Sequence, residues 1–470
     1  MFRKVLVANR GEIAVRVIRA CQELGIPTVI AHSEADRDSL GVLLADESVC
    51  IGPPPSDKSY LNIANVVSAA QIAQADAIHP GYGFLAENAY LAEVCQQVGI
   101  TFIGPPPQAI DAFADKVNAR NLMQSAGVPV VPGSAEPLLN AEGAMAAARE
   151  LGFPLMVKAV AGGGGRGMRA ARDADDLART FPIAQVEAQS HFGNGSLYLE
   201  RLVERGRHLE IQIAADRDGR AIHLGERECS IQRRHQKLIE ESPSPILSAE
   251  RRAEMGQIAC RGLASVAYEN VGTVEFLVDQ HGQYYFLEMN TRLQVEHPVT
   301  ELVTGIDLVK LQIALAAGER LPYRQSEVTW RGHAIECRVT AEDPARGFAP
   351  DAGHIHTVHF PGGPWVRVDT HVFPGYTTPP YYDSLLAKII VWGRDRAEAI
   401  ARMRRAIDET QIEGVKTNLS YLALVLSDPR FEAGEIDVEF VERHLGKTEP
   451  ATEGTRAGMD ATTAAAVGHA

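Results

Sequence analysis

Cysteine is scarce in this sequence, and its six residues are scattered along the chain. No two of them form a CxxC pair, and they stand at Cys21, Cys50, Cys95, Cys229, Cys260 and Cys337. This spacing gives no sign of a disulfide framework or of a cysteine-ligated zinc site. We expect free thiols in a reducing compartment.

Long apolar runs are missing as well. A membrane-spanning helix needs about 18 consecutive apolar residues, and the sequence contains no such run. The apolar run near the start is too short for a signal peptide. Both absences predict a cytoplasmic protein.

Positive charge is in the minority, with 46 Lys and Arg residues against 60 Asp and Glu residues and a net charge of −14. A binder of nucleic acid or of an anionic membrane surface is therefore not expected. Hydrophobic residues make up 45% of the chain, enough for a globular protein with a buried core. The 470 residues allow about three domains.

Residues 1–114 alternate short apolar runs with helical patterns, which predicts a parallel sheet with crossover helices. We predict a helix after the first strand, and strands at 5–8, 27–31, 77–78 and 100–103. The turn at 9–12, Asn-Arg-Gly-Glu, lacks the GxGxxG that lets a dinucleotide pyrophosphate approach. A nicotinamide-dependent oxidoreductase is therefore disfavoured.

The pattern changes twice further along the chain. Residues 115–330 mix hairpin-like strands with helices, and residues 331–446 form a third region of strands and helices. Residues 447–470 consist of Ala, Thr, Gly and charged residues without periodicity. They are predicted to be a disordered tail.

A glycine-rich segment joins two extended runs in the second region. The apolar run 155–160 contains Lys158, the segment 162–167 reads GGGGRG, and an extended pattern resumes at 168. A P-loop would continue into a helix instead. A glycine hairpin tip can close over phosphates with its exposed N–H groups, and Lys158 could reach the same anion. A flexible surface loop is the alternative interpretation.

Two β-type runs, 273–278 and 284–290, are predicted to form a hairpin. A two-residue turn at 281–282, where glycine suits the positive φ, places Glu275 opposite Glu288. Like charges directly across a sheet are destabilising unless a cation lies between them.

A divalent cation would remove that repulsion. Strand alternation puts Asn290 on the same face as Glu288. Two carboxylates and an amide oxygen suit Mg²⁺ or Mn²⁺ that also holds ATP phosphates, so the predicted metal ligands are Glu275, Glu288 and Asn290. Two solvated glutamates are the alternative.

The segment 233–237, Arg-Arg-His-Gln-Lys, is dense positive charge in an acidic protein. It is interpreted either as a solvated segment or as a site for a triphosphate and a small oxyanion. In the strand-like run 334–339, alternation points Arg338 away from Ile335 and Cys337.

Taken together, the motifs resemble biotin carboxylase, an ATP-grasp ligase, from Phe2 to about Gly446. They are ANRGEIAVRVIRA at the start, HPGYGFLAENA at His79, GGGGRGM at Gly162, ERECSIQRRHQK at Glu226, FLEMNTRLQVEHPVTE at Phe286 and PPYYDSLLAKII at Pro379. Several motifs in the right order over most of the chain make the resemblance specific.

The resemblance implies an α/β and α+β protein with an ATP-grasp fold. A parallel α/β domain is expected at 1–114 and a central ATP-grasp domain at 115–330, with a mobile lid at about 131–203. A C-terminal mixed domain is expected at 331–446, before the tail.

The resemblance also implies the site residues. ATP would be bound by Lys116, Lys158, Gly164, Gly165, Glu200, Arg201, Leu202, Val203, His208 and His235, with Glu275 and Glu288 holding its metal and Asn290 completing the metal site. Bicarbonate would be held by Lys237, Arg292, Gln294 and Val295. Glu296 would be the general base, and Arg338 would stabilise the biotin enolate. Arg201 stands where the family often has lysine.

The implied reaction is the ATP- and bicarbonate-dependent carboxylation of biotin through carboxyphosphate. The chain has no Met-Lys-Met segment of the kind that carries biotin, so a separate biotin carboxyl carrier protein is expected as partner, together with carboxyltransferase subunits. A homodimer is also implied. Acetyl-CoA carboxylase in fatty-acid synthesis is the first expectation for the complete enzyme, with propionyl-CoA or pyruvate carboxylase as the alternative.

Two other functions are alternatives to this one. One is another ATP-grasp ligase that shares the bicarbonate step, such as one making carbamoyl phosphate. The other is a catalytically silent nucleotide-binding scaffold, which the complete set of expected site residues disfavours.

Overall fold

The computed structural model describes residues 1–134, 136–160 and 168–445. Gly164 and Gly165 of the predicted glycine loop lie outside these ranges, as does the predicted tail at 447–470. Across the described ranges, every helix is too short or too polar to cross a membrane.

The N-terminal region is a parallel sheet with helices in its connections, as predicted. Its elements are β1 (Val5–Val7), α1 (Gly11–Glu23), β2 (Thr28–His32), α2 (Leu40–Leu44), β3 (Glu47–Cys50), α3 (Ile63–Ile72), β4 (Ala77–His79), α4 (Ala89–Gln97), β5 (Thr101–Phe102) and α5 (Pro107–Ala114). The strands lie in the order β3-β2-β1-β4-β5, and all pairs are parallel. Val5 and Val7 pack into one hydrophobic cluster and Leu6 into another, so both faces of the sheet are covered.

The strand order reverses between β1 and β4, and the loops that follow these strands meet there. Asn9 donates from Nδ2 to the carbonyl oxygens of Pro80 and Tyr82, each at 2.7 Å. Open parallel sheets place ligands in a crevice at such a switch point. Here the crevice is a cavity of about 250 Å³.

The region of the predicted lid forms a small layer of its own after α6. The elements are α6 (Lys116–Ser125), α7 (Ala141–Leu151), β6 (Leu155–Ala159), β7 (Met168–Ala171), α8 (Ala174–Phe192) and β8 (Leu197–Arg201). β6 lies between β7 and β8 in an antiparallel sheet, so the glycine segment joins two paired strands. Apolar residues from α7 to β8 form a separate hydrophobic cluster.

An antiparallel sheet of eight strands dominates the rest of the molecule. The elements are β9 (Arg207–Ala215), β10 (Ala221–Arg233), β11 (Gln236–Ser242), α9 (Ala249–Leu263), β12 (Asn270–Val278), β13 (Tyr284–Asn290), α10 (His297–Thr304), α11 (Leu308–Ala316), β14 (His333–Thr340), β15 (Glu342–Asp343), β16 (Ala349–Pro350), β17 (Thr357–His359), β18 (Val366–Thr370), β19 (Leu385–Gly393), α12 (Arg396–Glu409), β20 (Gln411–Glu413), α13 (Leu419–Leu426), α14 (Pro429–Glu432) and α15 (Phe440–Leu445). The strand order is β13-β12-β9-β10-β11-β14-β19-β18. Because β11 pairs with β14, strands from both sides of residue 331 belong to one sheet.

The turn between β12 and β13 differs from the predicted one. It has three residues, 280–282, and the flanking residues are joined by a main-chain hydrogen bond of 2.8 Å. Its glycine adopts a φ of 76°, as such turns require. Leu277 therefore pairs with Tyr285, whereas the two-residue turn would have paired it with Phe286.

A bulge corrects the register further along this hairpin. Leu287 is an extra residue on β13, and beyond it the pairing shifts by one position. Glu275 therefore lies opposite Glu288, as predicted, although the predicted route was wrong. The longer turn and the bulge shift the register in opposite directions, so their effects cancel at Glu275 and Glu288.

β14 and β19 separate apolar and charged side chains onto opposite faces. Ile335 and Cys337 of β14 and Ile389 of β19 lie in a hydrophobic cluster with α12. Arg338 and Lys388, which are paired across these strands, point to the other face. The alternation predicted for Arg338 is therefore present.

Candidate active site

Several strands bring ionised side chains together on one face of the large sheet. At the centre is the Lys237 ammonium on β11, which lies 2.5 Å from Glu210, 3.2 Å from Glu275 and 2.5 Å from Glu296. Burial lowers the pKa of Lys237, but the three carboxylates raise it well above its ordinary value. Lys237 is therefore a permanent positive charge in an acidic cluster.

Arg227 on β10 is fully buried beside these carboxylates. Its guanidinium forms an ion pair with Glu210. Its other N–H groups donate to four neutral side-chain oxygens, those of Gln212, Thr273, Gln294 and Thr300. These bonds fix the positions of Glu210 and Gln294.

We expect Arg227→Leu to lower the free energy of unfolding by about 3–5 kcal/mol, because removing one partner of a buried ion pair leaves the other uncompensated. Urea denaturation measures the change. Arg217→Leu, at an exposed position, is the control and should stay within about 0.5 kcal/mol of the unsubstituted protein. Equal stabilities of the two variants would contradict this role of Arg227.

Glu275 has both carboxylate oxygens engaged. His208 Nε2 lies 2.8 Å from one, and the amide nitrogens of Asn290 and Gln294 each donate to the other at 2.8 Å. Burial raises the pKa of Glu275, but the charges of Lys237 and His208 lower it below its ordinary value. Glu275 is therefore an ionised carboxylate.

The three predicted metal ligands lie together. Glu288 is opposite Glu275 on the same face of the hairpin, and 30% of its side chain is exposed. Asn290 donates to Glu275 and accepts a hydrogen bond of 2.8 Å from Arg292. The facing carboxylates offer the hard oxygen donors that Mg²⁺ prefers, and the side chain of Glu288 is partly exposed to solvent.

A second grouping of potential ligands overlaps this one. One ligand atom each from His208, Glu210 and Glu275 lie within 4.8 Å of one another. Lys237 contacts Glu210 and Glu275, and Arg227 also pairs with Glu210. This grouping is therefore an ion-pair network, whereas the side chain of Glu288 is partly exposed.

Lys116, Lys158 and His235 lie near the predicted metal ligands. Lys158 on β6 forms an ion pair with Glu200 on β8, and Lys116 lies 3.4 Å from Glu288. Burial lowers the pKa of His235, and the charges of Lys158 and Lys116 lower it further. Lys158 and Lys116 are thus each paired with a glutamate, and protonation of the neighbouring His235 is disfavoured.

The segment 200–203 ends β8 and begins the following loop. The N–H of Arg201 donates to the carbonyl oxygen of Pro132 at 2.8 Å, and that of Leu202 donates to Pro154 at 3.0 Å. The Arg201 side chain is exposed. The lysine-to-arginine difference at 201 therefore leaves the main-chain arrangement intact.

Arg292 joins Asn290, a predicted metal ligand, to Glu87 of the N-terminal region. Its Nε lies 2.8 Å from Glu87 Oε2, and its Nη2 donates to Asn290. The residue is 20% exposed in its side chain. Arg292 is thus a partly accessible cation at the rim of the acidic cluster.

Arg338 bridges two glutamates across the large sheet. Its Nε lies 2.5 Å from Glu240 and its Nη2 lies 2.9 Å from Glu296. Burial raises the pKa of Glu296, but Lys237 and Arg338 lower it well below its ordinary value. Burial also raises the pKa of Glu240, to about 7, although Arg338 opposes this.

Tyr82 lines the cavity at the switch point of the N-terminal sheet. Burial and the neighbouring Glu12 raise the pKa of Tyr82 well above its ordinary value, and the guanidinium of Arg338 lowers it. The cavity is lined by Asn9, Arg10, Gly11, Glu12, Ile13, Ser56, Tyr82, Gly83, Phe84, His371, Tyr381, Tyr382, Asp383 and Leu385.

Four charged residues of this cluster are absent from the set predicted from the sequence, namely Glu210, Arg227, Glu240 and Lys388. Glu210 and Lys388 stand within runs of apolar strand residues, and all four are fully buried. Charged side chains are rarely buried unless they are paired. A charge inside an apolar strand run was therefore the available signal.

Three family models match most of the chain. Residues 1–110 match the biotin carboxylase N-terminal domain, and residues 336–443 match the biotin carboxylase C-terminal domain. Residues 115–324 match the ATP-binding domain of the carbamoyl-phosphate synthase L chain.

Known relatives match almost from end to end. A biotin carboxylase of Nostoc sp. is 54% identical over 94% of this chain and 99% of its own. The biotin carboxylase domain dimer of 2-oxoglutarate carboxylase from Hydrogenobacter thermophilus, solved with MgADP, ADP and bicarbonate, has a TM-score of 0.92 at 49% identity over 94% of this chain and 98% of that chain. The biotin carboxylase subunit of a pyruvate carboxylase has a TM-score of 0.82 at 49% identity over 96% and 100% of the two chains.

The fold and these matches define an ATP-dependent ligase of the ATP-grasp class. The chain belongs to the biotin carboxylase family.

Proposed function

We propose that this chain transfers a carboxyl group from bicarbonate to biotin through carboxyphosphate, converting ATP to ADP and phosphate. The observation that carries the proposal is the placement of Glu296, whose carboxylate lies 2.5 Å from Lys237 and 2.9 Å from Arg338. A base held between two cations is suited to a small oxyanion that must also lose a proton.

Lys116 beside Glu288 and Lys158 beside Glu200 offer two cations for a triphosphate, which supports ATP binding on that side of the cluster. The proposed nucleotide contacts are Lys116, Lys158, Gly164, Gly165, Glu200, Arg201, Leu202, Val203, His208 and His235. Glu275 and Glu288, with Asn290, would hold Mg²⁺ or Mn²⁺, which would neutralise phosphate charge during phosphoryl transfer. The relative from Hydrogenobacter was solved with MgADP, which supports this assignment.

Bicarbonate is proposed to lie among Lys237, Arg292, Gln294 and Val295. Glu296 takes the bicarbonate proton, the freed oxygen attacks the γ-phosphorus, and ADP leaves. Although burial favours a protonated Glu296, Lys237 and Arg338 hold its pKa well below the ordinary value. When bicarbonate binds, its negative charge interacts with Lys237 and Arg338 in place of Glu296. The pKa of Glu296 then rises, so Glu296 becomes an effective base only when bicarbonate is bound.

Arg338 is proposed to act on the second substrate. Carboxyphosphate breaks into CO2 and phosphate, the phosphate takes the N1′ proton of biotin, and N1′ forms a bond to CO2. The guanidinium of Arg338 would stabilise the negative charge on the ureido oxygen. The ion pairs of Arg338 with Glu240 and Glu296 support this role, because they hold the guanidinium beside the acidic cluster.

The proposed assembly has several chains. Biotin would arrive on a separate carrier protein, a carboxyltransferase would accept the product, and two copies of this chain would form a homodimer in the cytoplasm. We propose domains at 1–114, 115–330 and 331–446, with the lid at about 131–203 and a disordered tail at 447–470. The three family-model ranges support this division.

Acetyl-CoA is proposed as the final acceptor, with propionyl-CoA or pyruvate as the alternative. Relatives occur in 2-oxoglutarate and pyruvate carboxylases, so copurification of the native complex is the deciding measurement. A carboxyltransferase that accepts acetyl-CoA is the expected companion. A pyruvate-specific transferase would overturn this choice.

ADP release tests the reaction itself. With Mg²⁺ and bicarbonate, ATP hydrolysis should depend on bicarbonate, and free biotin should increase it. The alternative, synthesis of carbamoyl phosphate, is suggested by the match of residues 115–324 to the ATP-binding domain of the carbamoyl-phosphate synthase L chain. It predicts stimulation of ATP hydrolysis by ammonium instead. Stimulation by ammonium without any effect of biotin would overturn the proposed function.

A further inference from the structure

Lys388 on β19 is a lysine with no exposed surface. Its ammonium lies 2.9 Å from Glu12 and 3.8 Å from Asp369, and it donates to the main-chain carbonyl oxygen of Val295 at 2.8 Å. Burying an ammonium is costly unless carboxylates accompany it. A buried lysine whose hydrogen bond reaches a loop carbonyl acts on that loop and not on a substrate.

The segment 294–296 has two chemically different sides. The side chains of Gln294 and Glu296 face the acidic cluster, where Gln294 donates to Glu275 and Glu296 contacts Lys237. The carbonyl groups of Gln294 and Val295 have partners outside that cluster. The carbonyl oxygen of Gln294 accepts a hydrogen bond of 2.7 Å from His297 Nδ1. The carbonyl oxygen of Val295 accepts one from Lys388.

The two anchoring side chains differ in charge. Because a carbonyl can only accept, His297 Nδ1 carries the proton, and burial lowers the pKa of His297 well below its ordinary value. Burial lowers the pKa of Lys388 too, but Glu12, Glu336 and Asp369 raise it above its ordinary value. Lys388 is thus the charged anchor of the pair.

The position of Lys388 is fixed from two parts of the molecule. Across the sheet it pairs with Arg338 on β14 and with Asp369 on β18. Glu12 comes from the first turn of α1 in the N-terminal region. The position of the Val295 carbonyl therefore depends on both the large sheet and the N-terminal region.

We propose that Lys388 is a positioning residue for bicarbonate, which fixes the Val295 carbonyl so that the peptide leading into Glu296 keeps the orientation needed by the base. The carbonyl and the following N–H share one rigid plane, so rotating that peptide moves the Glu296 side chain. The inference rests on the proposed bicarbonate site. A displacement of about 1 Å in such a site can cost about 100-fold in rate.

Steady-state kinetics of bicarbonate-dependent ATP hydrolysis test the proposal. In Lys388→Met we expect the KM for bicarbonate to rise by about 10-fold or more, with the KM for MgATP changed by less than about twofold. Lys388→Arg, which keeps the charge, should recover part of the loss. An unchanged KM for bicarbonate, or equal rises in both constants, overturns the proposal.

Arg396→Met is the matched control. Arg396 also pairs with a buried glutamate, Glu241 at 2.7 Å, but it starts α12 on the opposite face of the sheet. It should lose thermal stability like Lys388→Met and keep its KM for bicarbonate. If Lys388→Met does not fold, Lys388→Met combined with Glu12→Gln removes both charges and is held to the same criterion.

The proposed function and this inference fail differently. If the unsubstituted protein shows no bicarbonate-dependent ATP hydrolysis, the proposed function is wrong. If the unsubstituted protein is active and the folded Lys388 variants keep its KM for bicarbonate, only the positioning role is wrong.

Discussion

Replacing Lys237 by methionine should reduce bicarbonate-dependent ATP hydrolysis by about 100- to 1000-fold, the size of effect seen when one preorganised charge is removed from an active site. The ammonium contacts Glu210, Glu275 and Glu296 at once. Without it, three buried carboxylates repel each other and the incoming anion. Release of ADP at saturating MgATP measures the loss.

The pH profile gives this prediction a second measurement. Burial raises the pKa of Glu296 and Lys237 lowers it, so the substitution raises that pKa. A general base must be deprotonated to act, and the acid limb of the profile should therefore move to higher pH in Lys237→Met. Lys416→Met, at an exposed position, serves as the control. An acid limb that stays in place would count against the coupling between Lys237 and Glu296.

Arg338→Ala should impair biotin carboxylation by about 100-fold or more while reducing bicarbonate-dependent ATP hydrolysis much less. The reason is that Arg338 is assigned to the second substrate, whereas Lys237 continues to hold Glu296 on its other side. Carboxylation of free biotin and ATP hydrolysis without biotin are the two rates to compare.

Arg338 also forms an ion pair with Glu296 at 2.9 Å, so its loss affects ATP hydrolysis as well as biotin carboxylation. Its loss accounts for the expected small fall in ATP hydrolysis. Arg394→Ala, whose side chain is 83% exposed, should change neither rate. Equal losses of both activities in Arg338→Ala would show that the arginine acts on the first step as much as on the second.

Local patterns in the sequence predicted much of the fold because they depend on neighbouring residues. The alternation of apolar runs and helical spacing identified the parallel N-terminal sheet, where β1 pairs with β2 and β4. The pairing of Glu275 with Glu288 was predicted correctly through an incorrect turn, since the bulge at Leu287 compensates for the longer loop.

Contacts between distant segments could not be predicted from such patterns. The ion pair of Arg227 with Glu210 spans two strands, and the bond of Lys388 to Val295 joins residues 93 positions apart. Register across a large sheet depends on which strands become neighbours, and neither the hydrophobic period nor turn chemistry specifies that. The motif order identified the candidate residues, but only the fold shows what each of them touches.

The eight-stranded sheet has a practical consequence for dissecting this enzyme. A cut at residue 331 would separate β11 from β14, and each fragment would carry a bare strand edge with unpaired N–H and C=O groups. Such fragments should aggregate or swap strands when expressed alone. The lid layer has its own hydrophobic cluster and its own sheet, so an excision there leaves the large sheet's hydrogen-bonded ladder whole.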